Sequence, residues 1–400
     1  MKYKTRFLAF FVTMVVFNLA ANFAHPVTPT VIKNLNLHDY MFGVALAAMM
    51  LTNFLMSPFW GKINLYISSR CSLLICCCGY GIAQIWFALA TTEPMIIAAR
   101  MFAGLFTGGI FVSFLTYIVN VSRPEDHGKY LTYSATIKSV ASAFGYMIGG
   151  FLGELSITLT FFVQAGTLIA VAVAFFFLCQ PDNEMDLGQI SGKQLFHEAN
   201  PLQAFIDSRK FMCVAFAFLF AVNILINFGN TGFDQAFNYY LKDVLNLTSS
   251  YNGIIKAGVG FISFFANMTL CIWIINKTNV KRSMVVLVSV CAAASLAVTL
   301  PVPIVLFIVF SILVYAGYSV SVPVLQNMVA GLADPKQKNL VMGFFNATQS
   351  LGSIAGSLTA GFIYSVHEKL PFACTALIYG LGIIAALGYL FYRKPAGKQA

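Results

Sequence analysis

Residues 94–119 read PMIIAARMFAGLFTGGIFVSFLTYIV, with Arg100 as the single charge. About 20 apolar residues in a helix span the hydrocarbon core of a bilayer. Hydrocarbon offers no partners to backbone N–H and C=O groups, so a run of this kind must be helical. The short alternating segments of a barrel strand are missing here. Working outward, runs of the same kind recur at 7–30, 41–60, 71–92, 130–153, 157–180, 211–233, 251–275, 283–300, 302–330, 340–366 and 370–392. The reading is an all-α membrane protein of twelve transmembrane helices. Composition agrees: 59% of the 400 residues are apolar and 10% charged, whereas a soluble domain carries roughly 25% charged residues.

The formal charge of +10 raises the question of nucleic acid, and its distribution answers it. Of the 24 Lys and Arg, only Lys33, Lys242 and Lys369 fall in the odd-numbered connections, and Arg100, Lys138 and Lys256 fall within runs. The others lie at the termini and in the even-numbered connections, as the positive-inside rule requires when both termini are cytosolic. No nucleic-acid partner is implied. The cysteines, including Cys76-Cys77-Cys78, sit among apolar neighbours where a free thiol behaves as a small hydrophobe. They suggest no metal.

The second half echoes the first. Leu35-Asn36-Leu37 and Gly43 return as Leu245-Asn246-Leu247 and Gly253, a shift of 210; Ala103-Gly104 returns as Ala316-Gly317, a shift of 213. Pro124, Ser139, Gly145 and Gly150 return as Pro335, Ser350, Gly356 and Gly361, a shift of 211. Matches in one order at nearly one spacing mark a repeat. With six runs per copy, both copies share one orientation, and parallel repeats of this kind belong to transporters with a site between halves near the midplane. The expected domains are a six-helix bundle over 1–180, a cytosolic linker over 181–210 and a second bundle over 211–400.

At this point the chain resembles the major facilitator superfamily, and in particular its twelve-helix drug:proton antiporter branch. The loop after the second run, Gly61-Lys62-Ile63-Asn64-Leu65-Tyr66-Ile67-Ser68-Ser69-Arg70, matches the family motif at Gly61 and Arg70. It carries Leu65 in place of the acid and Ser68 in place of the second glycine. Arg100, Gly104 and Gly108 match the motif of the fourth helix, and Ala141, Gly145, Gly149 and Gly150 that of the fifth, with Tyr146 at its proline slot. The resemblance implies the major facilitator fold, conformational roles for these glycines and Arg70, and a part for Arg100 in proton coupling and cavity electrostatics.

The residues suggest a site on their own terms. Charges inside membrane helices are expensive and are functional candidates by default. Arg100 lies too deep to reach the interface. Lys138 either lines the inner half of a cavity or extends its stem to the cytosolic interface; Lys256 is expected to do the latter. Asn223, Asn227, Asn230 and Asp234 recur at spacings of four, three and four, one face of a helix. A shorter stripe, Asn18, Asn22 and His25, occupies the first run. Tyr315, Tyr318, Gln326, Asn346 and Gln349 add the aromatic and amide groups that suit an amphipathic organic ligand. Glu154 is expected to be merely solvated. Pro26, Pro29 and Pro323 are expected to bend their helices. The pairs Gly145/Gly149 and Gly352/Gly356 permit close helix approach, and the helices that carry them are expected to cross the seam between halves and slide during alternating access.

No phosphate-binding loop is visible, so the energy source is an ion gradient or the substrate's own gradient, with no cofactor. The expectation is a monomeric secondary transporter of the plasma (inner) membrane. It works by alternating access and exports a small amphipathic or hydrophobic compound in exchange for protons. The alternative is a solute uptake symporter, or a uniporter, for a small organic metabolite, anions included.

Overall fold

The computed structural model describes residues 3–123, 126–182, 199–334 and 337–392. The expected linker charges Glu184, Asp186, Lys193 and Glu198, and the repeat matches Pro124 and Pro335, lie outside them. All regular structure among the described residues is helical. The first half comprises α1 (Tyr3–Ala20), α2 (Thr28–Asn34), α3 (Met41–Ile63), α4 (Ser69–Leu89), α5 (Glu93–Val121), α6 (His127–Leu155) and α7 (Ile157–Leu178). The second comprises α8 (Val214–Asp243), α9 (Ser249–Ala266), α10 (Ile272–Lys277), α11 (Val280–Thr299), α12 (Ile304–Leu332), α13 (Lys338–Tyr364) and α14 (Leu370–Phe391). A π-turn over Asn267–Cys271 joins α9 to α10.

Among the described residues nine helices are long and apolar enough to cross a membrane, the α9–α10 run counting as one. The helices α6 and α13 are equally long, but Lys138, Ser139 and Ser142 on one, and Asn346, Gln349 and Ser350 on the other, dilute their apolar character. They occupy corresponding places in the repeat.

The first run is not one bent helix. It breaks after Ala20 and resumes at Thr28. Pro26 has no N–H to donate, and the residue before a proline is pushed out of helical geometry. The intervening turns close instead through shorter-range bonds, from Asn22 N to Leu19 O at 3.2 Å and from Phe23 N to Ala20 O at 3.1 Å. The Thr28 hydroxyl donates to Ala24 O at 2.8 Å.

The repeated Leu-Asn-Leu has a backbone cause. Among the described residues the only non-glycine residues with positive φ are Asn36 and Asn246, each at 51°. Both stand just past a helix end, where a left-handed residue turns the chain; asparagine tolerates that conformation best after glycine. Leu37 N then reaches Ile32 O at 3.1 Å, and Leu247 N reaches Leu241 O at 2.9 Å.

The chain forms two compact units, Met1–Leu202 with Phe237–Phe261 and Gln203–Ala236 with Ile262–Ala400. In the first unit α5 presses against α3: a Cβ on Gly104 would overlap Thr52 and the Met49 carbonyl, and one on Gly108 would stand 2.6 Å from the Ser57 hydroxyl. Thr52 donates to Met101 O at 2.8 Å and Trp60 Nε1 to Leu105 O at 2.7 Å, tying the two helices. Lipid is as apolar as these side chains, so close packing and such bonds, rather than escape from water, hold membrane helices together.

The paired glycines make their close approaches within each copy. Gly145 and Gly149 of α6 lie against the carbonyls of Leu19 and Phe23 in the first unit, and Gly352 and Gly356 of α13 against those of Ile224 and Phe228 in the second. They pack the first helix of each copy against the fifth of the same copy and do not cross from one half to the other. Gly145 on Leu19 corresponds to Gly356 on Phe228 at shifts of 211 and 209. Gly150 is the glycine of this group that meets a second-half segment, 2.5 Å from Ser249 O if it carried a Cβ.

Candidate functional site

In the second unit the stripe on α8 carries two hydrogen-bonded groups, one around Asn223 and Asn227 and one at Asp234. Asn223 is fully buried, and its amide donates to Phe345 O at 2.8 Å and to the Thr348 hydroxyl at 2.9 Å. The buried Asn227 amide donates back to Asn223 O at 2.8 Å, and Asn227 Oδ1 accepts from the Tyr318 hydroxyl at 2.7 Å. Two turns further, Asp234 Oδ1 accepts from the Tyr315 hydroxyl at 2.9 Å. Between these two pairs, Asn230 Oδ1 is buried with no hydrogen-bond partner. Gln349 of α13 joins through Tyr318. The fold thus sets Tyr315 on the Asp234 carboxylate and Tyr318, with Gln349, on Asn227, along the helix face that also carries Asn230. Gln326 and Asn346 are exposed, and no hydrogen bond links them to the network.

In the first unit the break in the first run organises a second cluster. The unwound Ala21 carbonyl accepts from Gln164 Nε2 at 3.2 Å and from the Tyr80 hydroxyl at 3.4 Å. Arg100, 6% exposed, donates from Nη2 to the Thr28 hydroxyl at 3.2 Å and lies over the Phe87 ring at 4.1 Å. Tyr80, Gln84 and Phe87 share one face of α4, so an aromatic and amide wall faces the guanidinium. The Oε1 atoms of Gln84 and Gln164 are buried without partners. Sequence reading missed Tyr80, Gln84 and Gln164; a lone amide in an apolar run is the signal that marks the last two.

Asn18 is turned inward on its own helix, donating to Met14 O at 2.8 Å. Asn22 reaches Ser142 of α6 at 3.0 Å, and the His25 ring stacks on Tyr146 with centroids 5.4 Å apart. Lys138 is exposed, its ammonium 4.3 Å from the Phe111 ring centroid. Lys256 does not extend to an interface: it is 7% exposed, over Phe237 at 5.4 Å and Tyr146 at 5.9 Å. Rings beside its ammonium make burial tolerable through cation–π attraction.

The motif loop keeps its basic residue: Arg70 lies over the Phe176 ring at 5.2 Å. Leu65 holds no charge, but Asp182, just past α7, accepts from Ser69 N at 2.7 Å, Ser69 Oγ at 2.6 Å and Ser68 Oγ at 2.7 Å. A carboxylate is favoured there by the positive end of α4. Where α2 ends, Lys33 Nζ lies 3.1 Å from Asp39 and 2.5 Å from Asp243, and Tyr239 donates to Asp39 at 2.5 Å. Burial pulls the Lys33 ammonium down, but hydrogen bonds and charge from Asp243 and Asp39 outweigh it and hold it above the usual lysine range. Glu154 is not merely solvated; it accepts from the hydroxyls of Thr248 and Ser250.

Long apolar helices in two units, each enclosing a polar cluster with a charge inside the membrane span, define a multi-pass membrane transporter. The chain belongs to the major facilitator superfamily, whose family model matches residues 7–315 and 302–400. It is similar to the quinolone resistance protein NorA of Staphylococcus aureus, at 22% identity over 99% of both chains. It is also similar to multidrug resistance protein 1 of Bacillus subtilis, at 20% identity over 94% of this chain and 93% of that one. Among solved structures, a bacterial homologue of the human lysosomal transporter Spinster superposes with a TM-score of 0.78 at 13% identity, covering 98% of this chain and 99% of the other. The protein is a membrane-embedded transporter of a small molecule and not an enzyme.

Proposed function

We propose that this transporter exports a small amphipathic or hydrophobic organic compound in exchange for protons. It alternates access between two parallel six-helix halves, 1–180 and 211–400, joined by a cytosolic linker over 181–210. Twelve spans place both termini in the cytosol, and the protein works as a monomer in the plasma (inner) membrane. The observation that carries this reading is Asp234: a half-buried carboxylate on a polar helix face, hydrogen-bonded by Tyr315 beside the Asn227–Tyr318 pair. A coupling group must take up a proton in one orientation of the cavity and release it in the other. A carboxylate whose surroundings alternate between wet and dry does this, because a low dielectric favours its neutral form. The resistance proteins similar to this chain over nearly their whole length support export as the direction.

Arg100 sets the electrostatics of the first half, and Asn18, Asn22, His25, Lys138, Gln326 and Asn346 complete the set of substrate-contacting residues. Gly61, Arg70, Gly104, Gly108, Gly145, Gly149 and Gly150 serve the movement between states. His25 is the rival proton carrier, since an ordinary imidazole titrates near pH 6.5. The test is Asp234→Asn beside His25→Asn in proteoliposomes with an imposed pH gradient. Loss of pH-driven accumulation in Asp234→Asn, with solute binding retained, supports the reading. If both variants still concentrate solute with full pH dependence, neither group carries the proton.

A further inference from the structure

A cavity of about 780 Å³ opens in the first unit between the first turns of α1 and α6, remote in sequence from the Asp234 cluster. Its wall is aromatic. Phe7 meets Tyr130 edge-on at 4.7 Å, Phe11 stands 5.9 Å from Tyr130 and 6.4 Å from Tyr133, and the two tyrosines lie 6.0 Å apart. Its rim is basic: Arg123 and Lys129 line it with one acid, Asp126. Lys129 leans on the rings of Tyr130 and Tyr133 at 5.6 and 5.9 Å.

The face of α6 beyond this rim says what the cavity opens on. Lys129, Thr132, Thr136 and Ser139, at spacings of three, four and three, share that face and are all exposed. Hydrocarbon does not accommodate such a row of polar groups and charges, so this face is wet. A volume of this size holds a drug-sized molecule. Flat rings on the wall take an apolar body, and two cations at the rim, Arg123 and Lys129, against the one carboxylate of Asp126 favour negative charge.

The geometry points to a binding site for an organic anion with an aromatic body, held by Arg123 and Lys129 at its charged end and by Phe11 and Tyr133 at its flat end. This deepens the export reading and rests on it for orientation: with cytosolic termini, the cavity is the mouth where solute enters on its way out. The chemistry is shared by a soluble carboxylate or sulfonate and by the phosphate headgroup of an anionic lipid, and the site takes the soluble anion.

The test uses the full-length protein in phosphatidylcholine nanodiscs and three probes of one shape: pyrene-1-sulfonate, 1-pyrenemethanol and 1-pyrenemethylammonium. The sulfonate is expected to bind about tenfold more tightly than the ammonium, the scale of a pair of partly exposed ionic contacts. The double change Arg123→Gln with Lys129→Gln removes that preference and leaves the alcohol unchanged, whereas Tyr133→Ala weakens all three. Should the glutamine variant fail to fold, Arg123→Lys with Lys129→Arg must keep the preference. Equal binding of the three probes, or a preference that survives the glutamine changes, overturns the site. So does loss of sulfonate binding in phosphatidylglycerol discs, which would assign the cavity to a lipid headgroup. The assay involves no pH gradient, so a sulfonate preference in a protein that fails to couple to protons would sink the export reading and leave this site standing.

Discussion

Replacing Arg100 with alanine separates function from folding, and the structure bounds both. The side chain contributes one hydrogen bond, to Thr28, and one ring contact, with Phe87. Hydrogen bonds between membrane helices average about 0.6 kcal/mol, and a desolvated cation–π contact is worth about 2 kcal/mol. Against this, holding an arginine at the centre of a span costs about 2.5–3.5 kcal/mol on insertion scales. The terms cancel to within about 1 kcal/mol, so Arg100→Ala should insert, purify and melt within a few degrees of the parent. Transport is expected to vanish, because the cluster around Ala21 and Thr28 then has no charge to respond to the solute or the proton. Counterflow in proteoliposomes, with the melting temperature measured on the same preparation, reads both. Wild-type transport by the alanine variant refutes the reasoning; a collapse in stability refutes the energy balance.

Further expectations follow from single contacts. Tyr315→Phe removes the donor to Asp234 and should shift the pH dependence of transport while leaving expression unchanged; an unmoved pH profile counts against Asp234 as the carrier. Gly149→Leu drives a side chain into the Phe23 backbone, an overpacking worth about 1–3 kcal/mol or more, and should lower the melting temperature more than Gly166→Leu, where no atom lies within 4 Å. Lys33→Ala breaks contacts with Asp39 and Asp243 that are 36% exposed on the lysine side, so the loss should be at most about 1 kcal/mol. Because the Lys33 pKa is raised on folding, its contribution is full at neutral pH and disappears only as pH climbs past about 10. A parent–variant difference in melting temperature that changes between pH 6 and pH 9 would contradict this.

The long helices were legible because a span leaves no choice but helix: α5, read as 94–119, covers Glu93–Val121. The Leu-Asn-Leu echo was legible as a repeat, and its cause, a left-handed asparagine after a helix, is local chemistry. The far end of α8 was not. Its run was expected to stop at 233, yet the helix continues to Asp243 because Tyr239, Tyr240 and Leu241 are buried despite polar neighbours. Spacing revealed the stripe from Asn223 to Asp234, and the fold set Tyr315 and Tyr318 against it. The Arg100 cluster depended on tertiary packing: Gln164 sits on a different helix from Tyr80 and Gln84, with no common period, and it joins Tyr80 at the unwound Ala21 carbonyl. Lys256 shows the limit of stem length as a guide, since a four-carbon chain serves burial against rings as well as reach to an interface.

Proton exchange is the central claim, and solute flux under an imposed pH gradient tests it most directly. Purified protein in liposomes, screened with cationic, neutral and anionic amphipathic solutes, is given a pH difference and then a protonophore. The account predicts that solute accumulates in the direction opposite to proton flow, that the protonophore abolishes the accumulation, and that Asp234→Asn leaves only movement down the solute's own gradient. Accumulation in the same direction as the protons would make the protein a symporter. Flux that ignores the pH gradient altogether would make it a uniporter or couple it to another ion.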